Sequence, residues 1–454
     1  MRLLRLAARN LKQRPLTSVL TTVSIMFGAA LVSFLWLVAG QAERRYVTSS
    51  RGFNVVIGPK ESSTLDLVLS TIYMIKPAQG VIPLSVYKEL HSDTKKWGRH
   101  VRCAIPVASG DSYRGFPIVA TSDEWFKVFG RPKPSWKTNR PPEMRFAAGK
   151  EWDFTHEELL AEAKFQEHLK EPGGHEGHDH GHGDIVPEKW RKVVIGAGVA
   201  REIGLSLGSK IVPAHGVGDA SLHHHDEAEC EVVGVLEPLG TPIDRTIYMP
   251  LGAFWRLKGH EAIGSTTKNQ YGDVEISAVL LNTRPPIGFQ HVRRAFGRRI
   301  DGIAALPETE IRSLFKVVGN IALALRTISF VVLWVASIGV FLALYSTMSE
   351  RRRDVAIMRS LGARRLQIFG IVVFEAVLIT ATGAVLGVGL AHAIAQSLSG
   401  WLLAETGVPM SGVAFGIEEL WLILGVTVLG GVAGYLPAYQ ASRTDVARYL
   451  SPDR

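Results

Sequence analysis

The chain of 454 residues has only two cysteines, Cys103 and Cys230. Two thiols exclude a disulfide framework and any zinc site built from several cysteines. No G-x-x-x-x-G-K-[ST] phosphate loop occurs, so ATP is not bound here by that device. No repeat with a period of roughly 20–50 residues recurs, which sets solenoids and propellers aside. An H-E-x-x-H helix, a Ser/His/Asp order and a paired set of catalytic carboxylates are also missing, so nothing singles out an enzyme. Charge itself is absent from long parts of the chain, and that absence is the most informative.

Four stretches reach the roughly 20 apolar residues that a bilayer crossing needs. They are 15–42, which carries no charged side chain, then 327–348, 367–398 and 420–440. A buried helix of a water-soluble protein accounts for one such stretch and not for four. For the first, a cleaved signal peptide is the alternative, with Arg2, Arg5, Arg9, Lys12 and Arg14 as its positive region. Its apolar part is longer than such a region requires, and no clear A-x-A site follows. The expected fold class is therefore an α-helical membrane protein. It has four transmembrane helices and a large mixed α/β extracytoplasmic domain between helices 1 and 2.

Charge orients these spans. The formal net charge is +9, and fourteen basic residues against four acidic ones sit in 1–14, 349–366 and 441–454. The rest of the chain is close to neutral. Basic residues collect in short cytoplasmic loops, which places the N-terminal arm (1–14), the loop 349–366 and the tail (441–454) inside. Residues 43–307 and the loop 399–419 fall outside. The basic isoelectric point thus follows from topology, and no nucleic-acid partner is expected. In the outer segment, "FNVVIG" (53–58), "VRCAIPVA" (101–108), "FPIVAT" (116–121), "KVVIGAGVA" (192–200) and "CEVVGVL" (230–236) read as strands. Residues 83–93 and 155–170 read as helices, the second with a charged, solvated face. "GSKIVPAHG" (208–216) reads as a small β-turn unit. Residues 308–326 are amphipathic and lead into the second span as a stalk helix.

The inner loop runs "SERRRDVAIMRSLGARRLQIFGIVVFEAVLI" (349–379), with Val355, Met358 and Leu361 at helical spacing among Arg351, Arg352, Arg353, Arg359, Arg364 and Arg365. The tail reads "GYLPAYQASRTDVARYLSP" (434–452). With one span, a large outer domain and three further spans, the chain resembles the FtsX-like permease family, which includes MacB-type and LolC/LolE-type ABC transporter subunits. The resemblance is strongest over 308–452. In the outer domain it rests on "GDSYRGFPIVAT" (110–121), similar to a less-described bacterial branch. It implies a bacterial inner-membrane protein whose loop at 349–366 is a coupling helix docking on a separate cytoplasmic ABC ATPase, with ATP held only by that partner. It also implies a second permease copy or paralogue. A periplasmic binding or carrier protein is a further expected partner, beside the lipid bilayer. MacB carries its ATPase in the same chain, so the split LolC/LolE arrangement is the nearer likeness. The alternatives are an FtsX-like regulator of a periplasmic hydrolase and a lipoprotein-releasing or efflux permease.

Within the spans, Gly383 and Gly387 form G-x-x-x-G, suited to close helix contact. Glu375 lies about two turns from the inner surface and reads as an interfacial structural group. His392 reads as a packed or interfacial histidine near the outer end, and Arg326 as a side chain reaching toward the outer headgroups. Eight of the fifteen histidines fall within 175–225. His175, His178, His180 and His182 lie on a glycine-broken insertion (173–184), and His223, His224 and His225 precede Asp226 and Glu227. Imidazoles with carboxylates suit zinc or another transition metal. A glycine-rich loop cannot fix a tetrahedral ligand set, so the alternative is a solvated insertion with incidental affinity. Some His-rich members of this branch resemble components of zinc-acquisition systems, and metal-linked traffic is expected on that basis. Cys103 and Cys230 both face an oxidising compartment in this topology, so a bridge between them is an open expectation.

Overall fold

The computed structural model describes residues 15–49, 53–92, 95–129, 144–169, 186–215, 229–257, 273–284, 287–299, 302–350, 352–406 and 410–443. It divides into two compact units: Met1–Ala42 with Lys316–Gly400 and Met410–Arg454, and Glu43–Phe315 with Trp401–Pro409.

The first unit is helical. Its long helices are Pro15–Ser49, Pro307–Glu350, Arg365–Thr406 and Ile417–Ser442, here called the first to fourth long helices. All four are long and apolar enough to cross a membrane. Each runs past its apolar stretch. The expected stalk (308–326) and second span are one unbroken helix of 44 residues. A short helix, Arg352–Ser360, lies between the second and third long helices.

The second unit is built on an eleven-stranded mixed sheet among the described residues. Its strands and those of a two-stranded ribbon are β1 (Val55–Gly58), β2 (Ile82–Pro83), β3 (Val101–Tyr113), β4 (Phe116–Thr121), β5 (Phe146–Gly149), β6 (Lys192–Ile195), β7 (Lys210–Ile211), β8 (Ala214–His215), β9 (Cys230–Leu236), β10 (Ile247–Pro250), β11 (Glu275–Ile276), β12 (Ala278–Thr283) and β13 (Ile303–Ala305). The order is β13-β1-β12-β3-β4-β10-β6-β9-β5. β7 joins β9, β8 joins β3, and β2 and β11 form the ribbon. β10 runs parallel to β4 and β6 parallel to β9; the other pairs are antiparallel.

Local chemistry explains the turns. β3 and β4 meet through Arg114 and Gly115 alone, at φ 49° and 81°. Two consecutive left-handed residues make the hairpin turn whose twist matches the strands it joins, and this is the "YRGF" of the motif. "KVVIGAGVA" is only half strand. The chain leaves β6 at Gly196 and turns into the helix Ala197–Ile203. A Cβ at Gly196 would stand 2.4 Å from the Asp244 carbonyl oxygen, and one at Gly198 would stand 2.7 Å from it. The glycines therefore admit the backbone of Pro242–Arg245.

The helix His156–Leu169 keeps its solvated face at Glu157, Lys164 and His168 and buries the opposite one. Leu159, Glu162 and Ala163 are buried. Arg256 donates from Nε to Glu162 Oε1 and from Nη2 to Oε2, both at 2.7 Å. Its guanidinium also lies over Phe165 and Trp190. Two parallel charge-assisted bonds satisfy both buried charges. Removing one partner leaves the other charged and buried, at a cost of about 3–5 kcal/mol. Glu162→Ala is thus expected to lower the thermal unfolding midpoint of the full-length protein, while Glu157→Ala on the same helix leaves it in place. Calorimetry of the two variants beside the parent checks this.

Candidate coupling surface

The short helix Arg352–Ser360 ends in a sequence-encoded stop. Gly362 takes φ +96°. The Ala363 amide donates to the Met358 carbonyl and the Gly362 amide to that of Arg359. This left-handed glycine cap closes the helix by satisfying its last carbonyls. Three residues on, the Gln367 side chain accepts from the Arg364 amide at 2.9 Å, capping the start of the third long helix. "SLGARRLQ" therefore encodes a rigid corner between two helices.

Burial divides the expected apolar row. Val355 and Ala356 are buried, and Val355 packs with Ile368, Val372, Ala438 and Ala441. Val355 is accordingly corrected from an outward contact residue to an internal anchor. Met358 stays exposed at 36%, while Leu361, beyond the last helical residue, is 82% exposed. Helical periodicity groups residues 355, 358 and 361 on one face, but the helix stops before Leu361 and turns it outward. Ile357 and Leu366, at 41% and 80%, add to the outward apolar surface; the sequence reading passed over both. Arg364 and Arg365 are exposed and Arg359 half-buried. The side chains of Arg352 and Arg353, and the whole of Arg351, lie outside the described residues. The result is a fixed corner presenting four large apolar side chains beside guanidinium groups.

The third long helix carries the contacts that set the corner's base. Added Cβ atoms at Gly383 and Gly387 would meet Thr22 O at 2.9 Å and Met26 O at 2.5 Å on the first long helix. A second small-residue seam was not read from the sequence, although Gly430 and Gly434 have the same four-residue spacing. A Cβ at Gly430 would overlap the Thr380 side chain, and one at Gly434 would stand 2.7 Å from Ala376 Cβ. Glu375, read as interfacial, is buried at 5%.

The histidines of 173–184 and His223, His224 and His225 lie outside the described residues. Among the described residues no group of three or more His, Cys, Asp or Glu side chains is arranged to hold a metal ion. Cys103 and Cys230 are not joined by a disulfide. They sit on β3 and β9 with three strands between, a separation of about 19 Å at the usual strand spacing, far beyond the reach of a disulfide.

Residues 326–446 match the FtsX-like permease C-terminal family. That segment is an FtsX-like permease C-terminal domain. Among curated proteins the chain is similar to the macrolide export ATP-binding/permease protein MacB of Nitrobacter winogradskyi. Identity is 29% over 257 residues, covering 53% of this chain and 36% of that protein. The MacB of Rhodopseudomonas palustris (strain HaA2) is 26% identical over 237 residues, 49% of this chain and 33% of its own length. The pyoverdine export ATP-binding/permease protein PvdT of Pseudomonas fluorescens is 32% identical over 151 residues, 33% and 21% respectively. The chain thus spans between a fifth and about a third of the length of these relatives. The outward corner and the glycines of both seams fall inside the segment 326–446.

The Gly387 contact has a direct consequence. A bulky side chain there forces the first and third long helices apart, and overpacking of this kind costs about 1–3 kcal/mol. Gly387→Leu should lower the melting temperature of the detergent-solubilised protein. Gly389→Leu, at a glycine whose added Cβ would meet nothing within 4 Å, should not.

Proposed function

We propose that this chain is the permease subunit of an ABC transporter. In this reading it couples ATP hydrolysis on a separate cytoplasmic ATPase to motion of extracytoplasmic domains that handle a cargo. Both termini and the short helix Arg352–Ser360 lie in the cytoplasm of a bacterial inner-membrane protein, and the sheet unit lies on the outer side. A second copy or a paralogue completes the transporter. The observation that carries the reading is the fixed corner at 357–366, where Ile357, Met358, Leu361 and Leu366 stand exposed beside Arg359, Arg364 and Arg365. Apolar anchors ringed by polar contacts are how a few side chains dominate an interface. Val355 and Ala356, held inside, make the corner stiff enough to pass on a push.

Cargo export is supported over the regulator reading by the similarity to MacB and PvdT, whose names specify macrolide and pyoverdine export. A lipoprotein cargo remains the alternative within the same mechanism. Met358→Asp combined with Leu361→Asp is expected to abolish co-purification with a co-expressed partner ABC ATPase while leaving membrane insertion and melting behaviour intact. Unchanged recovery of the complex counts against the reading.

A metal-linked cargo rests on the histidine clusters alone. If His175, His178, His180 and His182 capture zinc, their replacement by Ser reduces zinc uptake in calorimetry of the full-length protein. Binding by the parent then weakens as pH falls through the imidazole range near about 6.5. Equal titrations of parent and variant remove the 173–184 segment as a ligand source.

A further inference from the structure

Four strand termini meet at one end of the sheet. β1 and β3 begin there, and β12 and β13 finish there: Val55 stands opposite Leu281, Val56 opposite Ala305 and Val101 opposite Thr283. Both connections to the long helices leave from this end. Asn54 lies five residues past Ser49, the last residue of the first long helix, and its side chain exchanges two hydrogen bonds of 2.8 Å with Thr283. The second long helix begins at Pro307, two residues past Ala305. Its first residues belong to the sheet unit, with Ile311 buried in the core and Leu314 and Phe315 packed against it. Val317, Val318 and Ile321 then present exposed apolar side chains. Only Lys316 separates the last core contact from the first of these.

The same end is basic. Arg99 lies in the turn before β3, Arg102 is the second residue of β3, and Arg284 follows β12; all three are exposed. The Arg284 amide donates to the His100 carbonyl at 2.7 Å, and Arg284 Nε donates to the Gly98 carbonyl at 3.1 Å. Turn and strand end therefore form one corner. The helix Gly288–Phe296 starts against it. An added Cβ at Gly288 would stand 2.6 Å from the His100 carbonyl oxygen, and the His291 ring stacks on His100 with centroids 4.2 Å apart. Arg294, a turn on from His291, is exposed on the same side of that helix. Among the described residues no acidic side chain pairs with these four arginines. Glu89 is taken by Lys96 and Arg299, and Glu308 by Arg312.

We propose that this end of the sheet unit docks on the bilayer surface, where Arg99, Arg102, Arg284 and Arg294 hold the phosphates of anionic phospholipid headgroups. A guanidinium presents paired N–H donors that match two phosphate oxygens. Basic residues beside a membrane anchor are drawn to anionic lipid. The tethers supply the proximity, since five extended residues reach at most about 18 Å. Headgroups are thus the anionic partner that the chain itself keeps at hand, whereas an acidic protein has to arrive from solution. The proposal rests on the long helices crossing a bilayer and needs no ATPase partner.

The test uses full-length protein in nanodiscs of phosphatidylcholine, with and without phosphatidylglycerol. Failure of parent and variants alike to enter the discs counts against the spans; the lipid-dependent difference between them reports the docking. Amide hydrogen exchange is read over residues 95–102 and 288–299. In the parent, phosphatidylglycerol is expected to slow exchange there severalfold, and high salt to reverse the slowing. Arg99→Gln, Arg102→Gln and Arg294→Gln, combined, should abolish it. These side chains make no hydrogen bond among the described residues, so melting in phosphatidylcholine discs should match the parent. Lys60→Gln, Lys150→Gln and Lys164→Gln remove equal charge elsewhere on the sheet unit and should leave the slowing in place. Lysine at 99, 102 and 294 keeps the charge and should restore much of it. Several results overturn the proposal: no lipid-dependent slowing in the parent, equal slowing in the glutamine variant, or a loss with lysine as complete as with glutamine. Inorganic phosphate added to phosphatidylcholine discs should change nothing. Slowing equal to that from phosphatidylglycerol makes the ligand a free anion and overturns the membrane docking.

Discussion

Backbone approach along the third long helix is the constraint on which the helical unit depends. In lipid, apolar side chains gain little by leaving one apolar neighbour for another, so helices associate through close packing and polar contacts. Here the first long helix closes onto Gly383 and Gly387, and Gly430 and Gly434 of the fourth close onto Thr380 and Ala376. Both far-reaching features follow from that second seam. At one end it brings Ile368 and Val372 against Ala438 and Ala441, the base that receives Val355. At the other it brings Glu419 within reach of His392. The glycines thus position groups many residues away from themselves.

The short helix between the second and third long helices shows how one segment serves two demands. Its inward side is fixed by Val355 and Ala356, and its end by the left-handed Gly362. Its outward side stays apolar without being buried, an arrangement that favours a partner over solvent. The adjoining arginines keep that patch narrow. Stiffness and exposure come from the same nine-residue helix because its termination is sharp.

The four long helices were legible because apolar length alone marks them, and β4 and β9 because their residues are β-branched and bounded by turns. The strands β5, β10, β12 and β13 were not read. Phe146–Gly149 and Ile303–Ala305 are too short to carry a periodicity, and "IYMP" gains its strand from β4 and β6 on either side. "KVVIGAGVA" misled because its valines and glycines suit a strand, whereas Gly196 and Gly198 serve the approach of Pro242–Arg245. Glu162 looked solvated for want of its partner, which lies 94 residues on. Glu419 went unnoticed as one of two acids at the start of a span, where a surface position is the ordinary one. His392 was noticed, but no local spacing reveals its contacts with Gly412 and Glu419.

The two thiols set apart by β4, β10 and β6 bear on the reactivity of the molecule. Burial pushes the Cys103 thiol up to about 11 and the Cys230 thiol up to about 12. Only the thiolate attacks an alkylating reagent, and burial disfavours that form at both positions. In the folded chain both thiols are therefore poorer targets for maleimides than an exposed cysteine. A single cysteine introduced at an exposed position such as Leu361 would take up a label ahead of both.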